Sequence, residues 1–191
     1  LLGALIAKSG DEKLLYSVSH NDHDRGEDRC IMEQSYFLTR SEMADQKGDE
    51  KEAINMAKKA GVLTDTVSRV IEKLREKGEY VEAANLVDGI QYRSLDGRYF
   101  SPRAQYRELY RELCGQASIE LEKEKDFRRA AHFEEDASGT ISPRAMELYT
   151  KALEQFDISR DESYNLKWLI GKVGIATPVA RKKSEKYILF E

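Results

Sequence analysis

The stretch Lys77–Val87, KGEYVEAANLV, sets a glycine before an acid and an aromatic, and three steps later an alanine opens a run of apolar residues at helical spacing. Looser forms recur from Lys47, KGDEKEAINMA, and from Glu124, EKDFRRAAHFE. Glycine at such a joint admits a left-handed backbone without steric penalty. Alanine at the opening of the second helix lets two helices approach closely. The chemistry of the motif is packing, and its recurrence predicts a series of antiparallel helical hairpins.

Working outward, Pro102, Pro143 and Pro178 all fall where a helical pattern starts or has finished, so the chain between them is free to be helical. A helix is expected from Cys30 to Lys47, ended by Gly48, and a second from Asp49 to Ala60, ended by Gly61. Thr64 or Asp65 then caps a helix carrying Val67, Val70, Ile71 and Leu74 on one face, with Glu72 and Glu76 on the other. The helix through Ala83, Ala84, Leu86 and Val87 completes that hairpin. SPRAQYRELY at Ser101 and SPRAMELYTK at Ser142 each pair a Ser N-cap with a Pro in the first turn, and so predict two more helix starts. A last helix is expected over Ser163–Val173, with Leu166, Leu169, Ile170 and Val173 inward and Trp168 on its flank. Between these runs, residues 88–101 carry Asp-Gly pairs at Asp88 and Asp96 and the aromatics Tyr92, Tyr99 and Phe100, which predicts a long loop or a small β-hairpin. A loop of that length with Arg93 and Arg98 argues for function; the alternative is that its aromatics plug a groove.

Composition sets the outer bounds. The chain has 191 residues, 40% apolar and 35% charged, and its apolar runs, such as LLGALIA at Leu1, are far shorter than the roughly 18–20 residues a membrane span needs. Leu1 is no start methionine and no basic segment precedes it, so the N-terminus reads as a boundary or a processed end. Cys30 and Cys114 lie far apart, which fits thiols in a reducing, cytoplasmic setting. Net charge is -4 with the signs interspersed, so nucleic acid is disfavoured; only Arg181, Lys182, Lys183 and Lys186 form a basic cluster.

The joint resembles the tetratricopeptide repeat, whose helical hairpin carries a glycine, an aromatic, an alanine and a large residue at fixed steps. Aligning Gly78, Tyr80, Ala83 and Val87 with that pattern puts Val67, Val70, Ile71 and Leu74 at its apolar positions, and AMELYTKAL from Ala145 looks like the second helix of another copy. The joints stand 30 and 47 residues apart, where the family keeps about 34, and Glu134 sits where the third copy should be large and apolar. Helical-hairpin adaptors of vesicle fusion are a related type. The resemblance implies an all-α fold, a right-handed solenoid of antiparallel helical hairpins, organised as an N-terminal helix and polar loop over 1–29, a repeat domain over 30–174 and a basic tail over 175–191. Tyr80 and Phe127 would wedge between paired helices.

Several constellations bear on chemistry. HNDHDRGEDRC, residues 20–30, gathers His20, Asp22, His23, Asp24 and Cys30, but the spacing matches no common zinc site and the next cysteine is Cys114, so a solvated loop is expected and no cofactor or metal. DASGTISPRAME from Asp136 has the end residues of a calcium loop without its central glycine, and Pro143 stands inside it. His132 with Arg128 and Arg129 has the residue types of a ribonuclease site; a solvated helix surface is the expected reading, because no partner base is identifiable.

The expected function is therefore a non-catalytic protein–protein interaction module or scaffold that binds a peptide or partner protein in a helical groove. Under the tetratricopeptide register, Asp65, Ser68, Arg69, Glu72 and Arg75 face that groove, with Tyr92, Arg98 and Tyr99 of the aromatic loop as further contact residues. Ser68 and Glu72 depart from the family's carboxylate-clamp set, so a free C-terminal carboxylate is not the expected ligand. The competing expectation is a metal-dependent enzyme or regulator built on His20, His23 and Cys30. The sequence leaves the oligomeric state open.

Overall fold

The computed structural model describes residues 2–20, 26–90, 92–93, 99–100, 103–156, 163–174, 178 and 182–183. These form an all-α chain whose helices pack against near neighbours in sequence. In order they are α1 Leu2–Ser9, α2 Glu12–His20, α3 Gly26–Gln46, α4 Glu50–Ala60, α5 Asp65–Lys77, α6 Tyr80–Asp88, α7 Arg103–Lys123, α8 Phe127–Ser138, α9 Pro143–Gln155 and α10 Ser163–Val173. Two two-residue strands, β1 Tyr92–Arg93 and β2 Tyr99–Phe100, pair antiparallel with Tyr92 opposite Phe100. They are all the β-structure among the described residues, and the rest of the described architecture is helical. No described helix is long and apolar enough to cross a membrane.

The three repeated joints have one geometry. Gly48, Gly78 and Lys125 take the left-handed backbone at φ 77°, 78° and 65°. The amide of each donates to the carbonyl three residues back, at Asp45 (2.9 Å), Arg75 (3.0 Å) and Glu122 (3.1 Å). The next amide reaches five back, from Asp49 to Ala44, Glu79 to Leu74 and Asp126 to Leu121, each 2.9 Å, which closes a Schellman turn. The acid then serves as N-cap with φ near -85° in all three copies, and Asp49 and Asp126 accept from the amides of Glu52 and Arg129. The alanine of each copy, Ala53, Ala83 and Ala130, is wholly buried. Lys125 carries a Cβ in this conformation, at a cost of about 1–2 kcal/mol that glycine escapes at the other two joints.

A fourth, related joint lies at Gly10–Asp11, where the Gly10 amide reaches three back to Ala7 but the Asp11 amide donates to the Ser9 hydroxyl at 3.3 Å in place of the five-back bond. Gly10 is left-handed at φ 75°, Asp11 accepts from the Leu14 amide at 3.1 Å, and Leu15, at the place of the alanine, is wholly buried. Over 1–29, where one N-terminal helix and a polar loop are expected, the described residues carry parts of three helices. Two helices, α1 and α2, occupy residues 2–20, and α3 begins at Gly26 ahead of the expected Cys30.

The chain divides into two compact units, Leu1–Tyr110 and Arg111–Glu191, a division that falls inside α7. In the first, Ile6, Ala7, Leu15, Tyr36, Phe37, Met56 and Ala60 form one core cluster. Helix α1 rests directly on α3: a Cβ on Gly3 would overlap the Met32 carbonyl oxygen and come within 3.0 Å of the Tyr36 nitrogen. Ser41 donates to the Ala53 carbonyl at 2.7 Å and Gln34 to that of Ala60 at 3.1 Å, fastening α3 to α4. On α5, Val67 and Ile71 are buried as expected, whereas Val70 and Leu74 are half-buried and Thr66 takes an inward place.

In the second unit the Ser142 hydroxyl accepts from the Ala145 amide at 3.0 Å and Pro143 opens α9, as the Ser-Pro pair predicts. Helices α7 and α8 face each other at Gly115 and Ala137. The core gathers Leu113, Ala117 and Leu121 of α7, Ala130, Ala131 and Phe133 of α8, Leu148, Tyr149 and Leu153 of α9, and Leu166, Leu169 and Val173 of α10.

Candidate binding cleft

With Ala130, Ala131 and Phe133 committed to the core, Arg128, Arg129 and His132 are left on the solvent side of α8. They form one wall of a cleft of about 820 Å³. Lys125, Asp126 and Phe127 supply its corner at the third joint, Ala152, Gln155 and Phe156 come from the end of α9, and Trp168 and Leu169 from α10.

The tryptophan is held on several sides. Tyr149 meets Trp168 edge-on at 5.5 Å and 82°, the Arg128 guanidinium lies 5.4 Å from its ring centre, and Lys172 Nζ lies 5.5 Å away. Lys172 also donates to both Glu135 oxygens at 2.8 and 2.7 Å, and the Tyr149 hydroxyl donates to Glu135 Oε2 at 2.7 Å. One carboxylate thus ties α8, α9 and α10 together behind the Trp168 ring. Phe127, half-buried at the start of α8, lines the cleft, with Lys151 Nζ 5.6 Å from its ring centre. Lys183 donates to the Phe156 carbonyl at 2.7 Å, so the end of α9 is closed by a cation, as the helix dipole favours.

Three cations, Lys125, Arg128 and Arg129, face one carboxylate in this lining. Asp126 pairs with Arg129 at 3.5 Å while capping its amide. Lys125 and Arg128 have no carboxylate partner among the described residues. The cleft therefore offers a positive rim over the buried apolar surfaces of Phe156 and Leu169. Such a surface holds an anionic group by charge and an apolar side chain by ring and aliphatic contact.

Burial pushes the Glu135 carboxyl up, but the hydrogen bonds from Lys172 and Tyr149, with the Lys172 charge, outweigh it and hold the group below the ordinary 4.5. Burial and the bond to Glu135 push the Tyr149 phenol above its ordinary range. For a carboxyl whose folded pKa is depressed, the stabilisation is complete above the unfolded value and disappears as pH falls through the folded one. Denaturation followed by Trp168 emission is therefore expected to show stability declining as pH drops below about 4.5, and Glu135→Gln should flatten part of that decline. An identical pH slope in the two proteins would remove Glu135 from this role.

The partner-contact residues expected from sequence are not part of this lining. Asp65 is exposed at the start of α5, Arg69 pairs with Asp45 of α3 at 2.7 Å, and Arg75 pairs with Glu72 at 3.1 Å. Tyr92 and Tyr99 belong to β1 and β2, while Arg98 and His23 fall outside the described residues. The segment expected as one polar loop is divided, with His20 ending α2 and Cys30 inside α3. The cleft itself was not anticipated. Arg128, Arg129 and His132 do stand together as a trio, but Arg128 is stacked on Trp168, a residue the helical pattern places only on a flank. No protein-family model, no curated protein and no solved structure matches the chain.

Proposed function

We propose that the chain is a non-catalytic interaction module, an irregular right-handed solenoid of tetratricopeptide-like hairpins that binds a peptide or partner protein in a groove lined by the first helices of successive hairpins. The observation that carries the reading is the Arg69–Asp45 ion pair, which joins the exposed sides of α5 and α3. The pair links the last turn of α3 to α5, the first helices of two hairpins built on the same joint, and helices of that rank are the ones that line a groove of this type. The α5 face beside that pair alternates in charge through Asp65, Arg69, Glu72 and Arg75, while Val67 and Ile71 hold the opposite face in the core.

Reversing charge at both Arg69 and Arg75 is expected to leave folding nearly intact, since exposed ion pairs contribute less than about 1 kcal/mol each. Association with partners captured from host lysate and re-tested as pure proteins should weaken, because rim charges steer encounter and set register. Unfolding of the double variant would make the two arginines structural; full retention of every partner would remove the α5 face from the interface.

A further inference from the structure

We propose that the cleft among α8, α9 and α10 binds an acidic internal segment of a partner protein, whose carboxylates meet Lys125, Arg128 and Arg129 while an apolar side chain seats on Phe127, Phe156 and Trp168. The proposal rests on the reading of the chain as an interaction module and assigns it a second surface, in a different compact unit from the α5 face.

Charge complementarity selects the occupant. The rim carries three cations against one carboxylate, and that carboxylate, Asp126, is engaged by Arg129 and by its own capping bond. The chain as a whole is acidic at -4, so a positive rim is a local departure that attracts an acidic ligand against the general field. Arg128 is held on the Trp168 ring, so its guanidinium loses little rotamer freedom on meeting a carboxylate. Trp168 is in turn fixed by Tyr149.

The apolar floor narrows the class further. Phe156 and Leu169 are 6% and 2% exposed and still line the cleft, which suits a side chain that enters between the helices. A free phosphate would leave this floor unused. A nucleic-acid strand would require a longer cationic track than one joint and one helical turn supply. At about 820 Å³ the cleft takes a few side chains of an extended or singly turned segment.

Trp168 is the only tryptophan of the chain, so its emission reports occupancy of the cleft directly. The full chain is titrated with an end-blocked synthetic peptide of alternating glutamate and leucine, with its lysine–leucine counterpart, with inorganic phosphate and with a short oligothymidine. The glutamate–leucine peptide is expected to give a saturable change that weakens at high salt, and the other three none in the same concentration range. Arg128→Glu combined with Arg129→Glu should weaken that peptide by about tenfold or more, and Lys125→Glu, which lies in the joint outside the helix, should weaken it separately if the double variant loses helicity. Equal binding of the lysine–leucine peptide, saturation by phosphate or oligothymidine alone, or unchanged affinity in the folded charge variants would overturn the assignment. An unmoved Trp168 signal together with partner loss on reversing Arg69 and Arg75 would sink the cleft and leave the module standing. Peptide binding at the cleft with every partner retained by that α5 variant would do the reverse, keeping the cleft and removing the α5 groove.

Discussion

Tyr149→Ala is expected to destabilise the second unit by about 3–5 kcal/mol, the range for removing a buried aromatic ring and leaving its cavity. Tyr149 is wholly buried and is the largest side chain so enclosed in the molecule as described. Its ring takes Trp168 on edge and lies under Lys172, and its hydroxyl donates to Glu135. The substitution therefore removes a packing element and one ligand of the carboxylate that ties three helices. Tyr149→Phe separates the two effects, since it keeps the ring and loses only a bond to a charged acceptor, at a cost of about 1.5 kcal/mol. Chemical denaturation with Trp168 emission as the probe measures both. A loss below about 1 kcal/mol for the alanine variant would show that the ring is not packed as described.

Gly3→Ala is the second large effect, and it arises from backbone against backbone. The added methyl would overlap the Met32 carbonyl oxygen, and neither partner is the end of a flexible side chain that can swing aside. Close-packed interiors yield to such a demand by moving whole elements. Helix α1 is expected to lift from α3, uncovering Ile6 and Ala7 and costing about 3 kcal/mol, at the upper end of overpacking effects. Amide exchange over residues 4–9 should then accelerate by about a hundredfold. Gly48→Ala is the matched control. A Cβ there meets nothing within 4 Å, so only the strained left-handed backbone contributes, about 1 kcal/mol. Equal costs for the two substitutions would refute the close approach of α1 to α3.

What the sequence discloses about this chain is whatever is local. The joints are readable because glycine, acid and alanine act within one turn and the hydrogen bonds they form are all short in sequence. Ser142–Pro143 fixes the start of α9, and the apolar spacing from Ser163 to Val173 gives the bounds of α10. Gly10–Asp11 carries the same local message, yet it escapes a search for the full motif because Leu15 replaces the alanine and no aromatic follows the acid. The cleft is illegible for a different reason. Arg128 and Trp168 are forty residues apart in sequence, each ordinary for an exposed or flanking helical position, and only the packing of α8 and α10 on α9 turns them into neighbours. The α5 face is readable as a two-sided helix, but the ion pair of Arg69 with Asp45 joins two separate helices, which no spacing within either one encodes.

The self-contained hydrogen bonding of the joints bears on how such a chain can change over generations. Each turn is closed by carbonyls of the helix that enters it, and in two of the three copies the acid's own side chain caps the helix that leaves. Nothing remote is needed to make the chain reverse direction. Segments between joints can therefore lengthen, shorten or be duplicated without unmaking the turns that bracket them, and the unequal intervals of 30 and 47 residues are the kind of record that such editing leaves.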